Sequence, residues 1–316
     1  MWTEAKPGQK KILVSFPPLY SITHAIAGDD AYVLSLLTGK GPHDYEGAPT
    51  DLFMVNNADL LIFNGLTLDD AFVNRMRSGH RNKSLSVLNV GDELIEKDHE
   101  RVKKNQPPLL LQGDGEVHVH ADGAMHKHGD IDPHVWLGPD QAIAMTEIIA
   151  SKLSDIDPSH KKGYETRAGK FIGELKALKE YGKAALKDKK NKNIITMHEA
   201  FKYFAQNFDI KIVDSIQVRP GMDPDPAKTK ELLDLCVTHR VRVIAIEPQY
   251  SRGPAESVRH SLLNRIGPAA KEEDVSIIEL DPLETASTVA GKQTPDPDYY
   301  LKKMRANIDT LAKKLP

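Results

Sequence analysis

The sequence predicts an α/β protein of two lobes, each built on a mainly parallel four-stranded sheet. Three observations predict it. Short apolar runs of strand length alternate with amphipathic helical stretches along the whole chain, the order that βαβ units impose. The length, 316 residues, exceeds the size at which one hydrophobic core usually stops growing, so two cores are expected. Between the two alternating sets lies 154–192, which has no strand-like run and carries Phe171, Leu175, Leu178, Tyr181 and Leu186 at helical spacing.

In the first half, strands are expected near Ile12 to Phe16, Ala31 to Leu37, Leu60 to Asn64 and Leu85 to Val90. Helices fit Leu19 to Ala27, Thr50 to Asn57, Asp69 to Ser78 and Pro139 to Leu153, where apolar residues return every three or four positions. The stretch 154–192 reads either as a surface helix or as a rigid spine. Strands then recur near Ile194 to Met197, Lys211 to Val218, Val243 to Ile246 and Val275 to Leu280. Helices follow at Ala200 to Phe208, Pro226 to His239, Ala255 to Ile266 and Tyr299 to Lys314. The expected division is an N-terminal lobe at 1–153, a long helix at 154–192 and a C-terminal lobe at 193–316. One segment breaks the pattern: 104–133 is rich in Gly, Pro, Asp and His and reads as a long loop.

With 28% charged residues and a net charge of -3, the chain has no broad basic surface, so nucleic acid is not an expected partner. Its longest apolar runs, such as Leu60 to Phe63, are far short of a membrane-spanning helix. Residues 1–18 pass from a polar stretch straight into a strand-like run without an apolar signal core, so either a cytoplasmic protein or a processed form is expected. Cys236 is the single cysteine. It excludes an intramolecular disulfide and a Cys-based metal cluster, and leaves His, Asp and Glu as metal donors.

Four of the 13 histidines, His118, His120, His126 and His128, stand as two H-x-H pairs in the long loop. Imidazole is neutral at pH 7 and is the commonest protein metal ligand, so this tract suits loose metal capture, against the alternative of a solvated polar loop. His43, His134 and His198 stand at junctions between loops and regular elements, where α/β proteins place ligand sites. Taken singly each could be a capping or surface residue; their shared placement argues for a site. Asp281 and Glu247 each end an expected strand and precede proline, as ligands or as N-caps and ion-pair partners. The run Met197-His198-Glu199-Ala200-Phe201-Lys202 begins like the zinc-protease motif H-E-x-x-H but has Lys202 in place of the second histidine. No nucleophile elbow and no phosphate-binding loop occurs.

These residues resemble those of the zinc and manganese solute-binding proteins of ABC importers, the ZnuA/TroA-like family. The carriers are Pro-His-Asp-Tyr-Glu at 42–46, Asp-Pro-His-Val-Trp-Leu at 132–137, His-Glu-Ala-Phe-Lys-Tyr-Phe at 198–204, Glu-Pro-Gln-Tyr-Ser at 247–251 and Leu-Asp-Pro-Leu at 280–283. Their order, from about Lys11 to Leu315, covers nearly the whole chain. Gly41 departs from the acidic residue common before Pro42, and Gly47 from a common proline.

The resemblance implies two lobes joined by one long backbone helix, with a metal in the cleft between them. It implies His43, His134, His198 and Asp281 as ligands; Glu247 stays open, either as a supporting residue near the site or as a cap or ion-pair partner. Histidine at the third position marks zinc-type members and a carboxylate marks manganese-type ones, so Zn2+ is expected ahead of Mn2+. Three imidazoles and one carboxylate also suit four-coordinate zinc better than a harder ion. The implied function is delivery of the metal by a periplasmic or extracytoplasmic monomer to an ABC permease in the membrane, without catalysis. The alternatives are a zinc-dependent hydrolase and a metal-binding adhesin on the same scaffold.

Overall fold

The computed structural model describes residues 2–43, 45–113, 117–119, 125–127, 131–217, 226–289 and 294–316. By its internal contacts the chain divides into two units, Met1–Lys176 with Leu283–Leu301, and Ala177–Pro282 with Lys302–Pro316.

The first unit runs β1 (Lys10–Val14), α1 (Pro17–Ala27), β2 (Ala31–Ser35), α2 (Pro49–Asn56), β3 (Leu60–Phe63), α3 (Asp70–Gly79), β4 (Ser86–Asn89) and α4 (Val90–Lys103). Its sheet is parallel throughout, in the order β2-β1-β3-β4. The central strands are the most apolar because helices cover both faces of a parallel sheet. Ile12, Leu13 and Val14 of β1 are buried, as is every residue of β3. Pro17 and Pro18 start α1, where the missing N–H of proline costs nothing. Helix α4 falls where the sequence reading placed no helix. Its buried positions are only Val90, Gly91 and Leu94, too few to show a stripe among charged residues. Its start is fixed by Asn89, whose side chain accepts hydrogen bonds from the N–H groups of Gly91 and Asp92.

Within the segment expected to be a long loop, β5 (Val117–Val119) and β6 (Met125–Lys127) pair antiparallel, with His118 opposite His126. The alternation that spaces these histidines has the period of two of a strand. His120 and His128 lie outside the described residues. Helix α5 (Pro139–Ile156) packs against α1 and α4. The helix expected to begin at 154 begins only at Lys161, as α6 (Lys161–Leu186). Pro158 disfavours helical backbone at the residue before it, and Asp157 has φ -141° and ψ 69°. The Asp157 carboxylate then accepts hydrogen bonds from Ser159 Oγ and from Tyr164 Oη of α6, at 2.7 and 2.8 Å.

The second unit takes the C-terminal part of α6, then β7 (Asn193–Thr196), α7 (Lys202–Phe208), β8 (Lys211–Ser215), α8 (Pro226–Thr238), β9 (Val243–Ile246), α9 (Gly253–Ile266) and β10 (Ser276–Glu279). The last helix, α10 (Tyr299–Lys314), starts in the first unit and ends in this one. The sheet is again parallel, in the order β10-β9-β7-β8. Ile195, Ile244 and Ile246 from its strands pack with Leu232 and Cys236 of α8 and Val258 and Leu262 of α9. Burial pushes the Cys236 thiol up to about 12, so it is a small apolar filler. In each sheet the chain reverses its direction of strand addition between two neighbours, β1 and β3 or β7 and β9. The carboxyl ends of such neighbours are where open α/β sheets bind ligands.

Candidate metal centre

In the first unit, His43 follows β2 on a segment whose turn is secured from the far side. Asp51 of α2 accepts hydrogen bonds from Tyr45 Oη at 2.8 Å and from the Ala48 N–H at 2.6 Å. His134 lies between Pro133 and a 3-10 turn at Val135–Leu137 that leads into α5. Trp136 in that turn is buried edge-on against Phe16, and its carbonyl accepts from Tyr300 Oη at 2.5 Å. These anchors bring the two imidazoles together, with Nε2 of His134 3.3 Å from Nε2 of His43.

The carboxylate that meets them is Glu284, where the resemblance implied Asp281. Glu284 Oε1 lies 3.2 Å from His43 Nε2 and 3.7 Å from His134 Nε2. His43, His134 and Glu284 thus each present a ligand atom within 4.8 Å of the others. Leu283, with φ 64°, turns the chain so that Glu284 faces this point. Glu284 also packs over Gly41, where a Cβ would come within 3.1 Å of its Oε2. Glycine in place of the acidic residue common there therefore makes room for Glu284 and avoids a second negative charge beside it.

The electrostatics favour a cation. Asp132 Oδ1 accepts from the backbone N–H of His134 at 2.9 Å and lies 2.9 Å from His134 Nδ1. An ionised carboxylate only accepts, so it holds the proton on Nδ1 and leaves the Nε2 lone pair facing His43 and Glu284. Two imidazole nitrogens and a carboxylate oxygen this close, with His134 and Glu284 buried and His43 partly so, are a donor set for a divalent ion.

In the second unit, His198 follows β7 and Glu247 follows β9, at the carboxyl ends of the two strands where the order reverses. His198 is 3% exposed and Glu247 1%. Glu247 Oε1 lies 2.6 Å from His198 Nδ1, and its Oε2 accepts from Gln249 Nε2 at 3.1 Å. Tyr250 meets the His198 ring edge-on at 5.8 Å. Asp281, just beyond β10, instead docks α10. Its carboxylate pairs with Lys303 Nζ at 2.7 Å, and its backbone exchanges hydrogen bonds with the Asn307 amide at 2.9 and 2.8 Å. This is the ion-pair role that the sequence left open beside the ligand role. No sequence signal marked Glu284, because a left-handed leucine before it has none of the glycine or asparagine signature of such turns.

Known proteins resemble this chain over nearly all of its length. The zinc-binding lipoprotein AdcA of Streptococcus pneumoniae is 29% identical over 306 residues, covering 96% of this chain and 55% of that protein. The chain spans about half the length of the curated relatives it matches. The crystal structure of Zn(II)-bound AdcA from the same organism superposes with a TM-score of 0.69 and 26% identity, over 98% of this chain and 58% of that one. The laminin-binding protein Lmb of Streptococcus agalactiae, described as bifunctional with adhesin and metal transporting activity, superposes with a TM-score of 0.74 and 26% identity, over 98% and 100%. A family model described as zinc-uptake complex component A, periplasmic, matches residues 12–314, and the chain belongs to that family of solute-binding proteins.

Proposed function

We propose that the protein binds one Zn2+ tightly through His43, His134, His198 and Glu284, and delivers it to an ABC-type permease in the membrane. The observation that carries the reading is the convergence of His43 Nε2, His134 Nε2 and Glu284 Oε1 in one unit. His198, supplied by the second unit, matches His134 in its preparation: a buried carboxylate holds its Nδ1. Three imidazoles and one carboxylate fill a tetrahedral shell, which suits zinc ahead of manganese. A filled shell leaves no open position for a reacting water, so binding is favoured over hydrolysis. Glu284 replaces Asp281 in the ligand set, and Glu247 supports His198 without touching the ion.

The protein works outside the cytoplasm, as the lipoprotein AdcA relatives suggest, and as a monomer; no described helix is long and apolar enough to cross a membrane. The four loop histidines, His118, His120, His126 and His128, hold further zinc weakly and are dispensable for the tight site. Titration of metal-free protein with zinc, alongside His43→Ala, His134→Ala and a deletion of 113–130, tests both statements. The first two variants should lose the tight site; the deletion should lower only the stoichiometry. If all three bind like the parent, the assignment fails. Loss of growth under zinc limitation on gene deletion separates import from the adhesin role, under which uptake stays unchanged.

A further inference from the structure

A turn outside the ligand set holds one of the ligands in place. Directly after β3 the backbone runs through three successive left-handed residues, Gly65, Leu66 and Thr67, with φ of 74°, 55° and 66°. For the two that carry a Cβ this conformation costs about 1 to 2 kcal/mol each, so the surroundings must impose it. They do so at several points. The Asp69 carboxylate accepts hydrogen bonds from the N–H groups of Asn64 and Gly65, both at 2.8 Å, and the Asn64 carbonyl accepts from the Gly91 N–H at 2.8 Å. At Gly65 a Cβ would overlap the Asn89 side chain, 2.0 Å away, so the turn closes only with glycine there.

The product of this clamp is the orientation of one side chain. Asn64 is fully buried, and its Nδ2 donates to the Pro133 carbonyl at 3.0 Å and to the Gly65 carbonyl at 3.2 Å. The Pro133 carbonyl belongs to the peptide that leads into His134. The other end of that peptide, the His134 N–H, is held by Asp132 Oδ1 at 2.9 Å. Both ends of the peptide plane before His134 are therefore fixed, one by Asn64 and one by Asp132, and with them the direction in which the His134 side chain leaves the backbone. A chain of short contacts runs from the buried end of β3 to the imidazole.

We infer that Asn64, aimed by Asp69 within the left-handed turn, is a positioning residue for metal capture, holding the Pro133–His134 peptide so that His134 Nε2 meets the ion. This rests on the proposed zinc site. Strain kept at one turn beside a ligand, and relieved by no neighbouring glycine at positions 66 and 67, is what a site that must be preformed requires.

The test compares Asn64→Ala and Asn64→Ser with Tyr164→Phe in the full chain; the last removes a buried hydrogen bond to Asp157 in the same unit. Three readouts are taken: zinc affinity by competition with a chromophoric chelator, the visible absorption of the Co2+-loaded protein, and the melting temperature of the metal-free protein. Both Asn64 variants should bind zinc about tenfold to a hundredfold more weakly and show a shifted cobalt band, the scale seen for residues that orient metal ligands. Tyr164→Phe should lower the melting temperature and leave affinity and spectrum unchanged. Should Asn64→Ala fail to fold, the milder serine variant decides. Asn64 variants that bind zinc within about twofold of the parent with its cobalt spectrum, while His134→Ala loses zinc, overturn the positioning role alone. If His134→Ala also binds like the parent, the zinc site itself is overturned.

Discussion

Glu247 Oε1 lies 2.6 Å from Nδ1 of His198, and both side chains are buried. Asp132 stands in the same relation to His134 at 2.9 Å. One device thus recurs in the two units: a carboxylate behind the ring fixes the proton on Nδ1 and raises the basicity of the outward nitrogen. Glu247→Ala should weaken zinc about tenfold to a hundredfold. Glu247→Gln, whose amide oxygen still accepts from Nδ1, should fall between it and the parent. Chelator competition reads the order, and equal affinities for all three proteins would discard the supporting role.

The two acidic residues near 281–284 should separate cleanly. Glu284→Gln removes the charge that meets His43 and His134 and should weaken zinc strongly, with little change in the metal-free melting temperature. Asp281→Asn removes a carboxylate that pairs with Lys303, whose side chain is 41% exposed. That change should cost about 1 kcal/mol of stability or less and leave zinc affinity intact. Calorimetry of both variants checks the contrast. A reversed outcome, with zinc lost only in Asp281→Asn, would restore Asp281 to the ligand set.

Much of this was legible beforehand, for physical reasons that also explain the gaps. Val243 to Ile246 and Leu60 to Phe63 read as strands because a parallel strand covered on both faces must be apolar throughout. His43, His134 and His198 stood out because each was expected at a junction between a loop and a regular element. Helix α4 was hidden because it buries one thin edge, and its cap, Asn89, reads equally well as a turn. Glu284 was hidden because its placement depends on the left-handed backbone of Leu283, which tertiary contacts impose and local sequence does not encode. Asn64 escaped for the same reason: its role lies in a contact to Pro133, 69 positions away.

Metal preference should depend on position 198. Placing a carboxylate there adds a charged oxygen donor and hardens the shell, which moves relative affinity from zinc toward manganese. Because Glu247 Oε1 would then face a second carboxylate, the swap is best made as His198→Glu with Glu247→Gln. Competition between the two ions reports the shift against Glu247→Gln alone. An unchanged zinc to manganese ratio would show that this position does not set selectivity.

Asp69 predicts a pH dependence for the metal-free protein. Burial pushes its carboxyl up to about 6, and the hydrogen bonds from the Asn64 and Gly65 N–H groups only partly oppose this. In the unfolded chain an aspartate titrates near 3.9, so between about pH 4 and 6 the folded state holds a proton that the unfolded state has released. Stability from this group therefore rises as pH falls through that window, opposite to an aspartate in an ion pair. The gap of about two pH units corresponds to about 3 kcal/mol in full, of which about 2 kcal/mol is gained between pH 7 and pH 4, where the unfolded aspartate is still about half ionised. Asp69→Asn cannot titrate, so the parent should gain about 2 kcal/mol on the variant over this range, while their shared titrations cancel in the difference. Urea unfolding of both metal-free proteins at several pH values measures it. Parallel profiles from pH 7 to 4 would show that Asp69 titrates alike in both states.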